Sequence, residues 1–152
     1  MTKDIGFVIV SLDNNNTSTI LCNTISTFIK NRPDRQISIF NSYCERLDTM
    51  NIPMLHISQA KFFNGDLVFF DIPCLLLSKQ FPLINKKYFY AQNAPWTDIQ
   101  ESYSSWKQLF GQENLNIITK NKYLYDLYNI VWKNAIGTSE NFSYEQINQL
   151  VL

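Results

Sequence analysis

The chain predicts an α/β fold, a three-layer α/β/α Rossmann-like sandwich with a mostly parallel sheet of about six strands. Two observations predict it. Short, near-continuous apolar runs such as "IGFVIVSL" lack alternation, the mark of a strand covered on both faces. These runs are separated by segments whose apolar residues recur every three or four positions, and strands that alternate with helices pair in parallel through right-handed crossovers. At 152 residues the chain fits one domain, residues 1–152, long enough to bury a core without a disulfide or a structural metal.

The elements follow in order. After "IGFVIVSL" and "DNNN", Thr17 or Ser18 can cap a helix by accepting from the free N–H groups of its first turn. Ile20, Leu21, Ile25, Phe28 and Ile29 form its apolar face, and Pro33 closes it. "RQISIFNS" and "IPMLHIS" read as the second and third strands, with "CERLD" as a turn of helix between them. "DLVFFD", bounded by Gly65 and Pro73, is the fourth strand, and "KYFYAQN" the fifth. Over 98–110, Ile99, Tyr103, Trp106 and Phe110 share a helical face that stops at Gly111. "LNIIT" is a further strand, "KN" a turn, and Leu124, Leu127, Tyr128 and Val131 face inward from the next helix. "SYEQINQLVL" is a final helix capped by Ser143, with Ile147, Leu150 and Val151 inward.

Composition narrows the function classes. Lys plus Arg equals Asp plus Glu, 13 against 13, which removes the basic footprint of a nucleic-acid-binding protein. The aromatic content, led by Phe and Tyr, argues against long disorder. Apolar runs fall short of the roughly 20 residues that span a bilayer, and no cleavage site follows the first one. Cys22, Cys44 and Cys74 are odd in number and widely spaced, as expected of buried thiols in a reducing, cytoplasmic setting.

In an open parallel sheet, ligands bind beyond the carboxyl ends of the strands. The loops there carry amides and hydroxyls, which suit a hydroxyl-rich ligand because each amide both donates and accepts. The candidate ligand-binding residues are Asp13, Asn14, Asn15, Thr17, Gln92, Asn93, Trp96, Thr119 and Asn121. Trp96 has two readings, an exposed indole that stacks on a sugar ring or a side chain folded back over the sheet edge. "SLDNNNTST" has no glycine, so neither a dinucleotide fingerprint nor a Walker A loop is present. His56 is the sole histidine, which excludes any two-histidine metal site, and it is read as a packed strand residue. Asp13, Asp71 and Lys120 fall at strand ends as in a phosphoacceptor pocket, but the second acidic residue beside Asp13 is missing. No metal or cofactor is expected, and no catalytic residue is assigned.

The order of "IGFVIVSL" with its Asn/Ser/Thr loop and long helix, "DLVFFDIP", "KKYFYAQNAPW" and "NIITKNKYLYDLYNIVWKNAIGTSENF" resembles the N-terminal half of two-Rossmann-domain (GT-B) glycosyltransferases. The resemblance implies that the loop after "KYFYAQNAPW" borders an acceptor cleft. It also implies that "NAIGTSENF" precedes a crossing into a second, donor-binding domain. The donor-side half would then come from a protein partner or lie outside residues 1–152, or transfer activity would be lost. The expected function is a glycosyltransferase-like domain binding a sugar acceptor or sugar nucleotide. The alternatives are a non-catalytic binding or protein-interaction module on the same scaffold and a flavodoxin-like mononucleotide carrier.

Overall fold

A computed structural model describes residues 3–45, 51–97 and 102–151. The elements in chain order are β1 (Asp4–Val8), β2 (Ser11–Leu12), α1 (Asn16–Asn31), β3 (Ile37–Asn41), β4 (Tyr43–Cys44), β5 (Met54–His56) and β6 (Gly65–Phe69). They continue with α2 (Ile72–Leu77), β7 (Lys87–Ala91), α3 (Tyr103–Phe110), β8 (Leu115–Thr119), α4 (Lys122–Val131), β9 (Ala135–Thr138) and α5 (Tyr144–Val151). Short 3-10 turns cover Ile57–Phe62, Ser78–Gln80 and Pro95–Thr97.

Among the described residues the main sheet has seven strands, against the about six expected, in the order β5-β3-β1-β6-β7-β8-β9. Every pairing in it is parallel. Numbered along the chain, the strands run 3-2-1-4-5-6-7, so the order reverses between β1 and β6, as in a doubly wound Rossmann-like sheet. The additional strand is β9, inside the segment "NAIGTSENF". Its four residues contain Gly137, at which a Cβ would run into the side chain of Leu150 on α5. A separate small parallel pair joins β2 to β4. Tyr43 and Cys44 are therefore extended, and Glu45 is outside any helix, its N–H donating to the Leu12 carbonyl at 3.0 Å, so the helical turn expected at "CERLD" is not formed there. Residues 46–48 lie outside the described residues, as does Ile99 with the start of the helix expected from residue 98.

Two-sided burial explains the apolar runs. Side chains alternate across a strand, and here both sides are covered. Ile5 and Phe7 of β1, Val68 of β6 with Phe70 just beyond it, and Tyr88 and Tyr90 of β7 face a core completed by Leu21, Ile25 and Phe28 of α1 and Ile147 and Val151 of α5. Val8, Phe40, Leu67, Phe69 and Phe89 face the opposite core, closed by Leu75, Trp106, Phe110, Leu124 and Tyr128 from α2, α3 and α4. The inward helical faces read from the spacing are thus the packed ones. Two residues depart: Val131 is half-buried and belongs to neither core, and Tyr103 is 65% exposed and stacked on Trp132 with ring centroids 5.7 Å apart.

The caps follow local chemistry. Asn15, rather than Thr17 or Ser18, starts α1, its side chain accepting from Ser18 N–H at 2.8 Å. Asn121 starts α4 by accepting from Leu124 N–H at 2.9 Å. Ser143 precedes α5, and Gln146 N–H points to its hydroxyl at 3.5 Å. α4 ends with Lys133 in the left-handed region, φ 61°, its N–H returning to the Tyr128 carbonyl at 3.1 Å. His56 is not packed inside a strand. It is exposed at the end of the edge strand β5, where Nδ1 accepts from Ser58 N–H at 3.2 Å.

Gly65 opens β6 opposite Asp4 in the parallel register, and a Cβ there would collide with the Asp4 backbone carbonyl. Gly65→Ala is therefore expected to force β1 and β6 apart and to cost about 1–3 kcal/mol, as other overpacked sites do. Urea unfolding measures it, and an unchanged midpoint would refute the close approach.

Candidate functional site

The crevice forms where β1 and β6 send their chains to opposite faces, β1 towards α1 and β6 towards α2. A single carboxylate ties the two departures together. Asp71 Oδ2 accepts from Val10 N–H at 2.8 Å, just past β1, and Oδ1 accepts from Cys74 N–H at 2.9 Å, capping α2. Ser18 Oγ accepts from Asp13 N–H at 3.2 Å and Asp13 Oδ2 accepts from Ser11 Oγ at 3.1 Å, which fold the β1–α1 loop over the same end of the sheet.

Three adjoining hollows open there. One, about 470 Å³, is bordered by Val10, Asp13, Asn15, Thr17, Asp71 and Pro73. The second, about 400 Å³, is bordered by Ile72, Pro73, Phe89 and Asn93. The third is smaller and more enclosed, about 110 Å³, with Ile20, Leu21, Tyr90 and Phe142 as its apolar wall and Thr17, Lys120, Glu140 and Asn141 among its polar border. Phe70 and Gln92 line all three.

Of the residues expected from the sequence, Asp13, Asn15, Thr17, Gln92 and Asn93 line these hollows. Asn15 also caps α1, and the Asn93 carbonyl accepts from the Tyr128 hydroxyl at 3.0 Å. Asn14 is exposed beside the crevice loop. Thr119 is fully buried, its hydroxyl donating to the Asn121 carbonyl at 3.2 Å, and Asn121 is occupied as the α4 cap. Trp96 is folded back. Half-buried, it meets Tyr128 edge-on at 4.7 Å, Trp132 at 5.5 Å and Phe110 at 5.6 Å, packed against the core under α3 and α4.

Sequence reasoning passed over Phe70, Tyr90, Glu140, Asn141 and Phe142. The signal for the last three was slight, a polar stretch after a strand too short to read. Their loop is tied down by Tyr90, whose hydroxyl donates to the Ser139 carbonyl at 2.7 Å, and by Thr24, whose hydroxyl donates to the Phe142 carbonyl.

Among the described residues, Asp13, Asp71 and Glu140 set three carboxylates around the hollows against one ammonium, Lys120. Burial first, and then the hydrogen bond with Asp71, push the Cys74 thiol far above its ordinary range, so it stays protonated and is a poor nucleophile. Among the described residues no group of three or more His, Cys, Asp or Glu side chains could hold a metal ion, and no helix is long and apolar enough to cross a membrane. The polar and apolar residues around the hollows can hold a ligand by hydrogen bonds and apolar contact, and Gln92, which lines all three, carries an amide that both donates and accepts. Comparison with protein-family models, with curated proteins and with solved structures gave no match.

Asp71→Ala removes a cap and leaves Val10 N–H without its acceptor, so a loss of about 1–3 kcal/mol is expected in urea unfolding. Asp71→Asn, which keeps the cap oxygen, should recover part of it. A second expectation concerns alkaline pH. Burial raises the phenols of Tyr88 and Tyr90 to about 12, above the unfolded value near 10. The unfolded chain therefore ionises first, and stability is intact below pH about 10 and is lost as pH rises towards about 12. The slope is up to about 1.4 kcal/mol per pH unit for each tyrosine. Tyr88→Phe should flatten it; the same slope in that variant would refute the assignment.

Proposed function

We propose that this domain binds a sugar acceptor in the carboxyl-end crevice, in the manner of the acceptor half of a GT-B type glycosyltransferase. The observation that carries the reading is the convergence of Gln92, Thr17, Asn93 and Asn141 around Phe70 at the reversal point of the sheet. Amides and hydroxyls pair with sugar hydroxyls, and aromatic faces pack against the C–H face of a sugar ring. Charge separates the acceptor from the donor. Carboxylates accept from sugar hydroxyls but repel phosphate, so Asp13, Asp71 and Glu140 favour a neutral glycan over a nucleotide diphosphate at this end.

A second reading, a protein-interaction module, draws on one observation. Tyr123 and Ile130 on α4 are 73% and 76% exposed, and with the half-buried Leu127 between them they lie along one helical stripe.

Thermal unfolding in the presence of glycans, sugar nucleotides and nucleotides tests both. A glycan at 100 times its Kd should stabilise the fold by about 2.7 kcal/mol, roughly 2–4 °C per kcal/mol for a chain of this size. Gln92→Ala, which leaves the core intact, should abolish the shift. If no sugar moves the midpoint, the acceptor reading falls; a self-association that Ile130→Asp abolishes would then favour the interaction module.

A further inference from the structure

The smallest hollow has properties that hydroxyl recognition does not use. Its wall is Ile20, Leu21, Phe70, Tyr90 and Phe142, and its volume is about 110 Å³. The hollow is open at its mouth, and its volume is of the same order as the roughly 150 Å³ that encloses a benzene, so it takes one small ring or branched aliphatic group and no second. Its border carries one cation and one anion, Lys120 and Glu140. Both are exposed, and neither has an ion-pair partner among the described residues. The first turn of α1, at Asn16 and Thr17, also borders the hollow, and N–H groups at a helix start lack intrahelical acceptors and favour a carboxylate.

The wall is also built at a cost. Phe142 has φ 49°, a left-handed conformation that a bulky side chain rarely adopts and that persists only where neighbours over-determine it. Its carbonyl accepts from Thr24 Oγ1. Ser143 N–H donates to Ser139 Oγ at 3.0 Å, and the ring sits against Phe70 at 4.7 Å and Tyr90 at 4.8 Å.

We propose that this hollow binds a free α-amino acid with an apolar side chain. The side chain of leucine or phenylalanine enters the hollow, the carboxylate meets Lys120 and the α1 terminus, and the ammonium meets Glu140. This goes beyond the acceptor reading and stands or falls separately from it, because the residues that decide it are Lys120 and Glu140 and its ligands carry no sugar.

Amide NMR titration of the whole chain with phenylalanine, phenylalaninamide and N-acetylphenylalanine tests it. Phenylalanine should shift the resonances of residues 16–21, 90–92 and 140–142. It should bind at least about tenfold tighter than either analogue, since each analogue lacks one charge-assisted contact. Lys120→Met should bring phenylalanine down to the affinity of the amide, and Glu140→Gln down to that of the N-acetyl compound. Asn141→Trp, a change at an exposed position on the mouth, should block all three ligands. Equal affinity for the three ligands in the parent chain, or shifts confined to other residues, would overturn the proposal even if a variant failed to fold.

Discussion

Burial of the central strands on both faces is the constraint on which the rest of the structure depends. β1, β3 and β6 lie between neighbours, and their Ile5, Phe7, Val8, Phe40, Val68 and Phe69 side chains are almost wholly removed from water. At about 25 cal/mol per Å² of apolar surface, a strand buried on one face only would forfeit half of that contribution. Helices must therefore cover both sides, and a parallel sheet supplies them through its crossovers. Close approach follows from the same demand. Gly6 lies against Leu67 and Phe40, and Gly65 against the Asp4 backbone, places where a Cβ has no room.

The crevice is a by-product of that constraint. Because α1 and α2 must leave neighbouring strands for opposite faces, the chain diverges between β1 and β6 and leaves a gap at their carboxyl ends. Backbone N–H groups at the gap need acceptors, and Asp71 satisfies one on each side of it. The same carboxylate that closes the local hydrogen-bonding account gives the crevice part of its acidic character. One side chain thus closes the local hydrogen bonding and borders the crevice, while Gln92 and Phe70 line all three of its hollows.

Much of this was legible in the sequence, and particular residues show why the rest was not. The helical faces built on Leu21, Ile25 and Phe28, and on Leu124 and Tyr128, pack as their spacing requires, because a period of 3.6 over three turns admits one buried side. α2 was missed because "IPCLLL" is apolar all round and shorter than two turns, although Asp71 before a first-turn proline marks a helix start. β9 was missed because "AIGT" is four residues with a glycine. Asn14, Asn15, Asn16, Thr17 and Ser18 are all competent caps, and only the path of the backbone selects Asn15. Trp96 had two readings, and the ring contacts with Tyr128, Trp132 and Phe110 select the folded-back one.

The sequence by itself determined the alternation of strand and helix, the two-sided burial and the inward faces, since these are local periodicities that each segment carries alone. Only the tertiary structure decided the strand order, the seventh strand and the membership of the crevice. Val10 meets Asp71 across 61 positions and Tyr90 meets Ser139 across 49. Such pairs arise from the packing of distant segments. No local pattern encodes them, because what brings them together is the order in which strands find neighbours that bury both of their faces.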